Sequence, residues 1–413
     1  MEKSSWCHQV PIFQEDLPLS IKFPSLSSFW SETFFWKKSP PGQVISHPSP
    51  ESWNILVDFP TLFLPKSLSL PGCLLVLHET FSSSLFQSGF GDMVGDNGTA
   101  VTEFILLGIS SFPSLQVPLF WVVLCIYMVT LLGNSLIIIL TLADPVLHSP
   151  MYFFLRHFSL VEILYTTTIV PRMLADLKST HPTISLASCF TQMYFFSFFG
   201  VTECCLLTAM AYDRYAAICR PLHYTTLMNQ GACNCMVGAS YLMGLITGTT
   251  HSICIFTLPF HGANTIHHYM CDILPVLRLA TGSTFKGEVG NLAMTISFII
   301  TPFLLIMASY AYILATILGV ATSQGRQKVF STCSSHLFVV ILFFGTGTVA
   351  YLRPEAGSSP GTDQVIGIFY TVVTPMFNPF VYTLRNKEVT RAMKRLMDRF
   401  FWNPLQPFLL LSS

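Results

Sequence analysis

Long apolar stretches, separated by short polar segments, dominate the chain after about residue 117. A helix needs about 20 mainly apolar residues to cross the hydrocarbon layer of a bilayer, which is about 30 Å thick. Seven stretches meet this requirement, although single polar residues interrupt the second and third and a polar turn begins the sixth. The predicted spans are 118–141, 151–171, 190–212, 234–258, 289–318, 329–350 and 365–384. The pattern predicts an all-α membrane protein with a seven-transmembrane helix bundle at 118–384.

The overall composition agrees with this pattern. Of the 413 residues, 51% are hydrophobic and 10% are charged, and the mean hydropathy is +0.56. Soluble domains usually carry about 25% charged residues. The low charged content indicates membrane lipid as the surrounding partner. The formal net charge is zero, so the composition does not indicate attraction to nucleic acid.

Lysine and arginine in the short loops indicate the orientation. They collect in the loops after the third and fifth spans and in the tail after the seventh. The side richer in these residues is expected to be cytoplasmic, which places the N-terminus outside, as in a multi-pass protein of the plasma membrane. Asn97, in the sequon Asn-Gly-Thr, lies on the outer side and is a candidate glycosylation site.

The regions outside the bundle differ in character. Residues 1–92 are rich in Ser, Pro and Phe without sustained periodicity, so we expect a disordered extension rather than a separate ligand-binding ectodomain. We hypothesise that translation normally begins at Met93. Residues 93–117 are expected to form an extracellular segment. Residues 385–413 are expected to form a cytoplasmic tail that begins with a short amphipathic helix.

Several motifs occur in a fixed order between these spans. "LHSPMYFFL" (147–155) begins the second span and "MAYDRYAAICRPLHY" (210–224) ends the third. "KVFSTCSSHL" (328–337) begins the sixth span and "PMFNPFVYTLRNKEV" (375–389) ends the seventh. From about residue 93 to 395 the chain resembles the olfactory (odorant) receptors, a family of rhodopsin-like G-protein-coupled receptors. The resemblance implies a receptor that binds small, weakly polar volatile molecules and activates a stimulatory, olfactory-type heterotrimeric G protein.

The charged pair in "MAYDRY" is the first candidate site. Alone, Arg214 would be typical of an arginine that anchors a helix end, whereas the resemblance implies a G-protein switch. Arg326 stands where many non-olfactory relatives carry an acid, so we expect Asp213 to hold Arg214 at rest. The residues that the resemblance assigns to the switch are Asp213, Arg214, Tyr215, Tyr310, His336, Asn378, Pro379 and Tyr382.

Two acids lie well inside predicted spans, Glu162 in the second and Glu203 in the third. A charged side chain at the bilayer centre costs about 2.5–3.5 kcal/mol on insertion scales. Both acids are therefore either neutral, hydrogen-bonded core residues or part of a conformational site that they share with Asn134 and Asn378. Such a site would hold a sodium ion or a shared proton, and no other cofactor is expected.

The resemblance also implies a disulfide between Cys189 and Cys271. The loop that contains Cys271 also contains His261, His267 and His268. Histidine and cysteine at this spacing can bind zinc or copper, but a disulfide would use Cys271. We therefore expect solvated histidines and no metal site.

The resemblance places the ligand site in the outer halves of spans three, five, six and seven. None of the implied lining residues is charged, which favours weakly polar ligands. Phe344 departs from the family, most members of which have tyrosine there. The lining candidates are Met193, Phe196, Ser197, Gly200, Val201, Asn291, Met294, Thr295, Phe298, Phe344, Gly347, Thr348, Tyr351 and Thr371.

The sequence leaves one main alternative function open and disfavours two others. The main alternative is a related receptor for another small ligand outside the nose. A transporter or channel is disfavoured by the odd number of spans and the lack of an inverted repeat. An intramembrane enzyme is disfavoured because the sequence has no G-x-S-x-G or H-E-x-x-H motif and no paired membrane aspartates.

Overall fold

The computed structural model describes residues 101–108, 113–281, 285–318, 323–352, 360–384 and 386–398. The predicted extension at 1–92, the sequon at Asn97 and the side chain of Arg326 lie outside the described residues. Described residues form a helix bundle and one small sheet. The helices are α1 (Pro113–Ala143), α2 (Pro150–Asp176), α3 (Leu186–Cys219), α4 (Gln230–Phe256), α5 (Phe285–Thr295, a π-helical turn at Ile296–Ile300, and Thr301–Leu318), α6 (Ser323–Leu352), α7 (Pro360–Ile368, a π-helical turn at Phe369–Val373, and Thr374–Leu384) and α8 (Lys387–Met397).

Six of the described helices are long and apolar enough to cross a membrane. They are α1, α2, α3, α5, α6 and α7, and each contains one of the predicted spans. The remaining predicted span, the fourth (234–258), corresponds to α4, which has 27 residues, ends at Phe256 and is rich in glycine, serine and threonine. Small residues of this kind are typical of membrane helices that pack closely against a neighbour.

The close neighbour of α4 is α3. A Cβ atom at Gly244 would collide with the Phe198 carbonyl oxygen and the Thr202 hydroxyl, and it would lie 2.9 Å from Phe198 Cδ2. One turn further along α4, a Cβ atom at Gly248 would lie 2.9 Å from the Tyr194 carbonyl oxygen. Both positions need glycine because the backbones approach too closely for a side chain.

The α3 helix is longer than the predicted third span. It begins at Leu186, after Ser185, whose hydroxyl accepts a hydrogen bond from Ser188 N at 3.2 Å and so caps the helix. It ends at Cys219, not at residue 212. Asp213 and Arg214 therefore lie on the last two turns of a continuous helix, rather than beyond its end.

A three-stranded sheet covers one end of the bundle, which the all-α prediction missed. The central strand β1 (Glu103–Leu106) pairs antiparallel with β2 (Thr183–Ser185) and parallel with β3 (Thr265–Ile266). The alternation in "EFIL" buries Phe104 and Leu106. The disulfide Cys189–Cys271 lies in the same hydrophobic cluster. We call this end of the bundle the disulfide end, and the opposite end, which carries Asp213 and Arg214, the Asp–Arg end.

The amphipathic helix expected after the last span is present as α8. Its apolar face buries Val389 and Ala392 against Leu140 and Leu147. Its polar face reaches the turn between α1 and α2, where Arg395 Nη2 lies 2.7 Å from Asp144 Oδ2. These contacts fasten α8 across the Asp–Arg end.

Candidate functional site

A cavity lies between the helices near the disulfide end, with about 730 Å³ of space not occupied by protein atoms. Its wall comes from α2 to α7 and from the short helical segment Ile273–Leu277. A position between the helices is the one expected of a small-molecule site in a helix bundle. Most of the exposed wall is apolar, so water in it gains few hydrogen bonds and is readily displaced by an apolar molecule.

Eleven of the fourteen predicted lining residues reach the wall. They are Phe196, Ser197, Gly200, Val201, Asn291, Met294, Thr295, Phe298, Phe344, Gly347 and Tyr351. The other three do not line it. Met193 is fully buried beside the disulfide, and the Thr371 hydroxyl is 2.8 Å from the Tyr269 hydroxyl. Thr348 follows Gly347 by one residue, and that step turns a helical side chain by about 100° away from the cavity.

Seven lining residues were not predicted. They are Tyr165, Cys204, His251, Ile273, Ile299, Phe343 and Tyr370. Ile299 lies in the π-helical turn of α5 and Tyr370 in that of α7. Such turns rotate the following side chains relative to a regular helix and are frequent at functional sites. Phe298, a predicted lining residue, lies in the same turn of α5 as Ile299, so these turns account for only part of what was missed.

The loop between α4 and α5 closes the cavity at the disulfide end. Asp272, next to Cys271, accepts hydrogen bonds from the Tyr351 hydroxyl at 3.0 Å and the Tyr370 hydroxyl at 2.8 Å. Its carboxylate also accepts a hydrogen bond from the backbone N–H of Ile273 at 2.7 Å. A single buried acid thus joins the loop to α6 and α7. We call Asp272 and its hydrogen bonds to the two tyrosines the Asp272 clasp.

Two further contacts hold this loop in place. The Gln192 side chain on α3 accepts a hydrogen bond from the backbone N–H of Cys271 at 2.9 Å. His268 is buried and stacks on Tyr269, with ring centroids 4.4 Å apart. Burial lowers the pKa of His268 below its usual value, which favours the neutral imidazole. The other two loop histidines, His261 and His267, are exposed, and the described residues contain no group of three or more His, Cys, Asp or Glu side chains placed to hold a metal ion.

Three of the four predicted intramembrane polar residues, Glu162, Glu203 and Asn378, interact between helices. Asn378 on α7 donates a hydrogen bond to Glu162 Oε1 on α2, and Glu162 interacts electrostatically with Glu203 on α3. Asn134 on α1 is also buried, and its amide donates to the Thr130 carbonyl at 3.1 Å. Four buried oxygen atoms lack a hydrogen-bond partner here, one on each of Asn134, Glu162, Glu203 and Asn378.

At the Asp–Arg end, one buried carboxylate has two partners. Arg214 Nη2 lies 2.5 Å from Asp213 Oδ2, and the Tyr224 hydroxyl donates to Asp213 Oδ1 at 2.7 Å. Burial and the Asp213 carboxylate raise the pKa of Tyr224, so its hydroxyl keeps its proton and stays a donor. Tyr224 belongs to the turn after α3 and was not among the predicted switch residues.

The remaining predicted switch residues lie on α3, α5, α6 and α7. The Tyr310 hydroxyl on α5 is 2.7 Å from His336 Nδ1 on α6. Tyr215 packs edge-on against Tyr312 of α5, with ring centroids 6.4 Å apart. Tyr382 on α7 is buried against Phe158, and its hydroxyl has no hydrogen-bond partner.

Pro379, which lies inside α7, has a close neighbour on α1. A Cβ atom at Gly133 would lie 2.7 Å from Pro379 Cβ. Glycine at this position therefore makes room for the proline ring. The switch role of these residues stays a prediction.

The chain matches the family model described as "Olfactory receptor" over residues 123–399. It belongs to the olfactory receptor family. The chain is 76% identical to olfactory receptor 10P22 of Mus musculus over 312 residues, which cover 76% of this chain and all of that relative. It is 59% identical to human olfactory receptor 10P1 over 308 residues, or 74% of this chain and 98% of the relative. It is 49% identical to human olfactory receptor 10A7 over 316 residues, or 76% of this chain and all of the relative.

Membership of the family establishes the general function. The chain is an odorant receptor with a seven-helix membrane fold, a multi-pass protein of the plasma membrane and not an enzyme. In this olfactory receptor α3 contributes residues to both the cavity and the charged pair, and Cys204 of the cavity wall lies nine residues before Asp213, or about 14 Å along the helix. Both sites are therefore connected by continuous helix.

Proposed function

We propose that the cavity binds small, weakly polar odorants and that binding activates a stimulatory, olfactory-type G protein at the Asp–Arg end. The observation that supports this proposal is the chemistry of the cavity wall, which contains no lysine, arginine, aspartate or glutamate among the residues that line it. Asp272, the acid in the loop that closes the cavity, already accepts hydrogen bonds from two tyrosine hydroxyls and a backbone amide. A charged ligand would have no counter-charge in such a site.

Two helices connect the ligand cavity with the switch. On α3, Ser197 lines the cavity and Arg214 pairs with Asp213. On α6, Phe344 lines the cavity and His336, about two turns away, contacts Tyr310. A ligand that fits the cavity better when α5 and α6 move apart would therefore weaken the contact between Tyr310 and His336.

A small odorant has limited energy to drive this change. Shifting an equilibrium from 1:99 to 99:1 needs about 5.5 kcal/mol of differential affinity. Small ligands reach at most about 1.5 kcal/mol per non-hydrogen atom in total binding energy, and only part of that differs between the two states. We therefore expect modest affinity and frequent partial agonism.

We infer that the disulfide end faces the outside, where oxidation can form the Cys189–Cys271 bond.

We also infer that residues 1–92 form an extension that the mature receptor lacks. Two relatives match this chain over their whole length but cover only 76% of it, which supports the inference about residues 1–92. Tags placed before and after Met93 would test it. Retention of the upstream tag on surface receptors would contradict it.

We also propose that the polar residues around Glu162 and Glu203 bind a sodium ion or share a proton. Four oxygen atoms without hydrogen-bond partners support this, since carboxylate and amide oxygens suit a hard cation and a proton would relieve repulsion between two acids. Sodium dependence of basal signalling, compared between the intact receptor and Glu203→Gln, separates the two cases. Sodium should change only the intact receptor if the ion binds.

The decisive experiment is a cyclic-AMP reporter screen in cells that express the receptor, against a chemically broad odorant panel. Arg214→Ala, matched for surface expression, is the control for G-protein dependence. We expect responses to neutral, weakly polar compounds that disappear in Arg214→Ala. Responses confined to amines or carboxylates, or responses that survive in Arg214→Ala, would contradict the proposal.

A further inference from the structure

One part of the cavity wall carries hydrogen-bonding atoms without partners. Both ring nitrogens of His251 and the hydroxyl oxygen of Ser197 are buried and make no hydrogen bond to any described residue. Both side chains line the cavity, from α4 and α3 respectively. Three other hydroxyls of the wall are already engaged, those of Tyr351 and Tyr370 by Asp272 and that of Thr295 by the Asn291 carbonyl. Because an unpaired buried polar group is unfavourable, these atoms are available to a ligand.

A histidine of α4 reaches the cavity near the close contact between α4 and α3. Of the described residues of α4, His251 alone contributes to the wall. It follows Gly248 by three residues, at the point where α4 packs backbone to backbone against α3. Without the two glycines at this contact, α4 would stand further from the bundle axis and its side chains would end short of the cavity.

The chemistry of the two side chains selects a ligand group. A neutral imidazole offers one N–H donor and one acceptor nitrogen, and a serine hydroxyl can donate or accept. A ligand hydroxyl can act both as a donor to a ring nitrogen and as an acceptor from a serine hydroxyl. An ether or ketone oxygen only accepts, so it leaves the acceptor nitrogen of His251 unpaired. A carboxylate would be repelled by Asp272, which interacts electrostatically with His251.

We infer that His251 and Ser197 form a hydroxyl-binding subsite, through which the receptor prefers alcohols to ethers and carboxylic acids of the same carbon skeleton. The inference rests on the proposed function only in taking this cavity as the ligand site. It names the class of odorant and adds a specificity-determining residue, His251, on a helix that otherwise lies outside the site.

The test compares probes that differ only in the polar group: octanol, octyl methyl ether and octanoic acid, with cyclohexyl and terpene sets of the same design. Two readouts are taken for each probe, thermal stabilisation of the purified receptor and cyclic-AMP response in cells. The variants are His251→Leu, His251→Asn and Ser197→Ala. The matched control is Ser252→Ala, which removes a buried, unpartnered hydroxyl next to His251 that does not line the cavity.

We expect His251→Leu to lower the apparent affinity for alcohols about tenfold, which corresponds to about 1.4 kcal/mol, with little change for ethers. His251→Asn should restore part of the preference, and Ser252→Ala should leave it intact. Equal effects on alcohols and ethers, or no stabilisation by any alcohol, would overturn the inference. Stabilisation that depends on His251 without any cyclic-AMP response would leave the subsite in place and contradict the proposed signalling instead.

Discussion

The contact between α3 and α4 gives the sharpest test of how this bundle packs. We predict that Gly244→Ala destabilises the receptor, whereas Gly238→Ala, on the same helix, does not. A methyl group at Gly244 would collide with the backbone carbonyl of Phe198 and the hydroxyl of Thr202. A methyl group at Gly238 would meet no atom within 4 Å.

The two substitutions share their intrinsic effect on the helix and differ only in this contact. Replacing glycine with alanine in a helix gains up to about 1 kcal/mol. Overpacking a close contact costs about 1–3 kcal/mol, and here the colliding atoms include backbone, which cannot rotate away. We therefore expect Gly244→Ala to lose about 1–2 kcal/mol net, and Gly238→Ala to be neutral or slightly stabilised.

The assay is thermal unfolding of the detergent-solubilised receptor, together with its surface expression in cells. Gly248→Ala serves as an intermediate case, since its Cβ atom would lie 2.9 Å from the Tyr194 carbonyl oxygen. The expected order of stability is Gly238→Ala, then Gly248→Ala, then Gly244→Ala. Equal unfolding temperatures for Gly238→Ala and Gly244→Ala would refute the close approach of α3 and α4.

Three further predictions concern the two ends of the bundle. Tyr224→Phe removes a hydrogen bond to the charged Asp213, worth about 1.5–3 kcal/mol, so basal cyclic AMP should rise at equal surface expression; unchanged basal signal would count against a restraining role. Asp272→Asn keeps the shape of the clasp but removes its charge, so agonist potency should fall by about tenfold or more while surface expression persists; full potency would show that the clasp does not hold the lid. Phe344→Tyr adds a hydroxyl to the cavity wall, and dose–response curves should show a shifted ranking toward more polar agonists; an unaltered ranking would exclude Phe344 from ligand contact.

The sequence predicted the helices well because each depends on a local and repeated signal. A run of apolar residues long enough to cross a bilayer marks α1 as clearly as α7, whatever the remaining helices do. Phe196 and Gly200 of α3, which the resemblance implies as lining residues, lie on the cavity wall. Their role in ligand binding stays a prediction.

The features that the sequence did not predict depend on non-local contacts. The Asp272 clasp joins Asp272 to two tyrosines that lie 79 and 98 positions further along the chain. No spacing pattern in the sequence connects these residues. Strand β1 has only four residues, too few to distinguish from a coil before its partners are known. Tyr370 reaches the cavity through a π-helical turn, whose presence a regular helical period does not indicate.

The position of His251 connects the packing of α4 to the choice of ligand. Gly244 and Gly248 set the distance between α3 and α4, and that distance decides whether the His251 ring enters the cavity. Gly244→Ala should therefore reduce the response to alcohols more than the response to matched ethers, in addition to lowering stability. A loss of the same size for both probes would mean that the variant acts on stability alone. A selective loss would mean that two small residues, neither of which touches the ligand, determine which polar group the receptor detects.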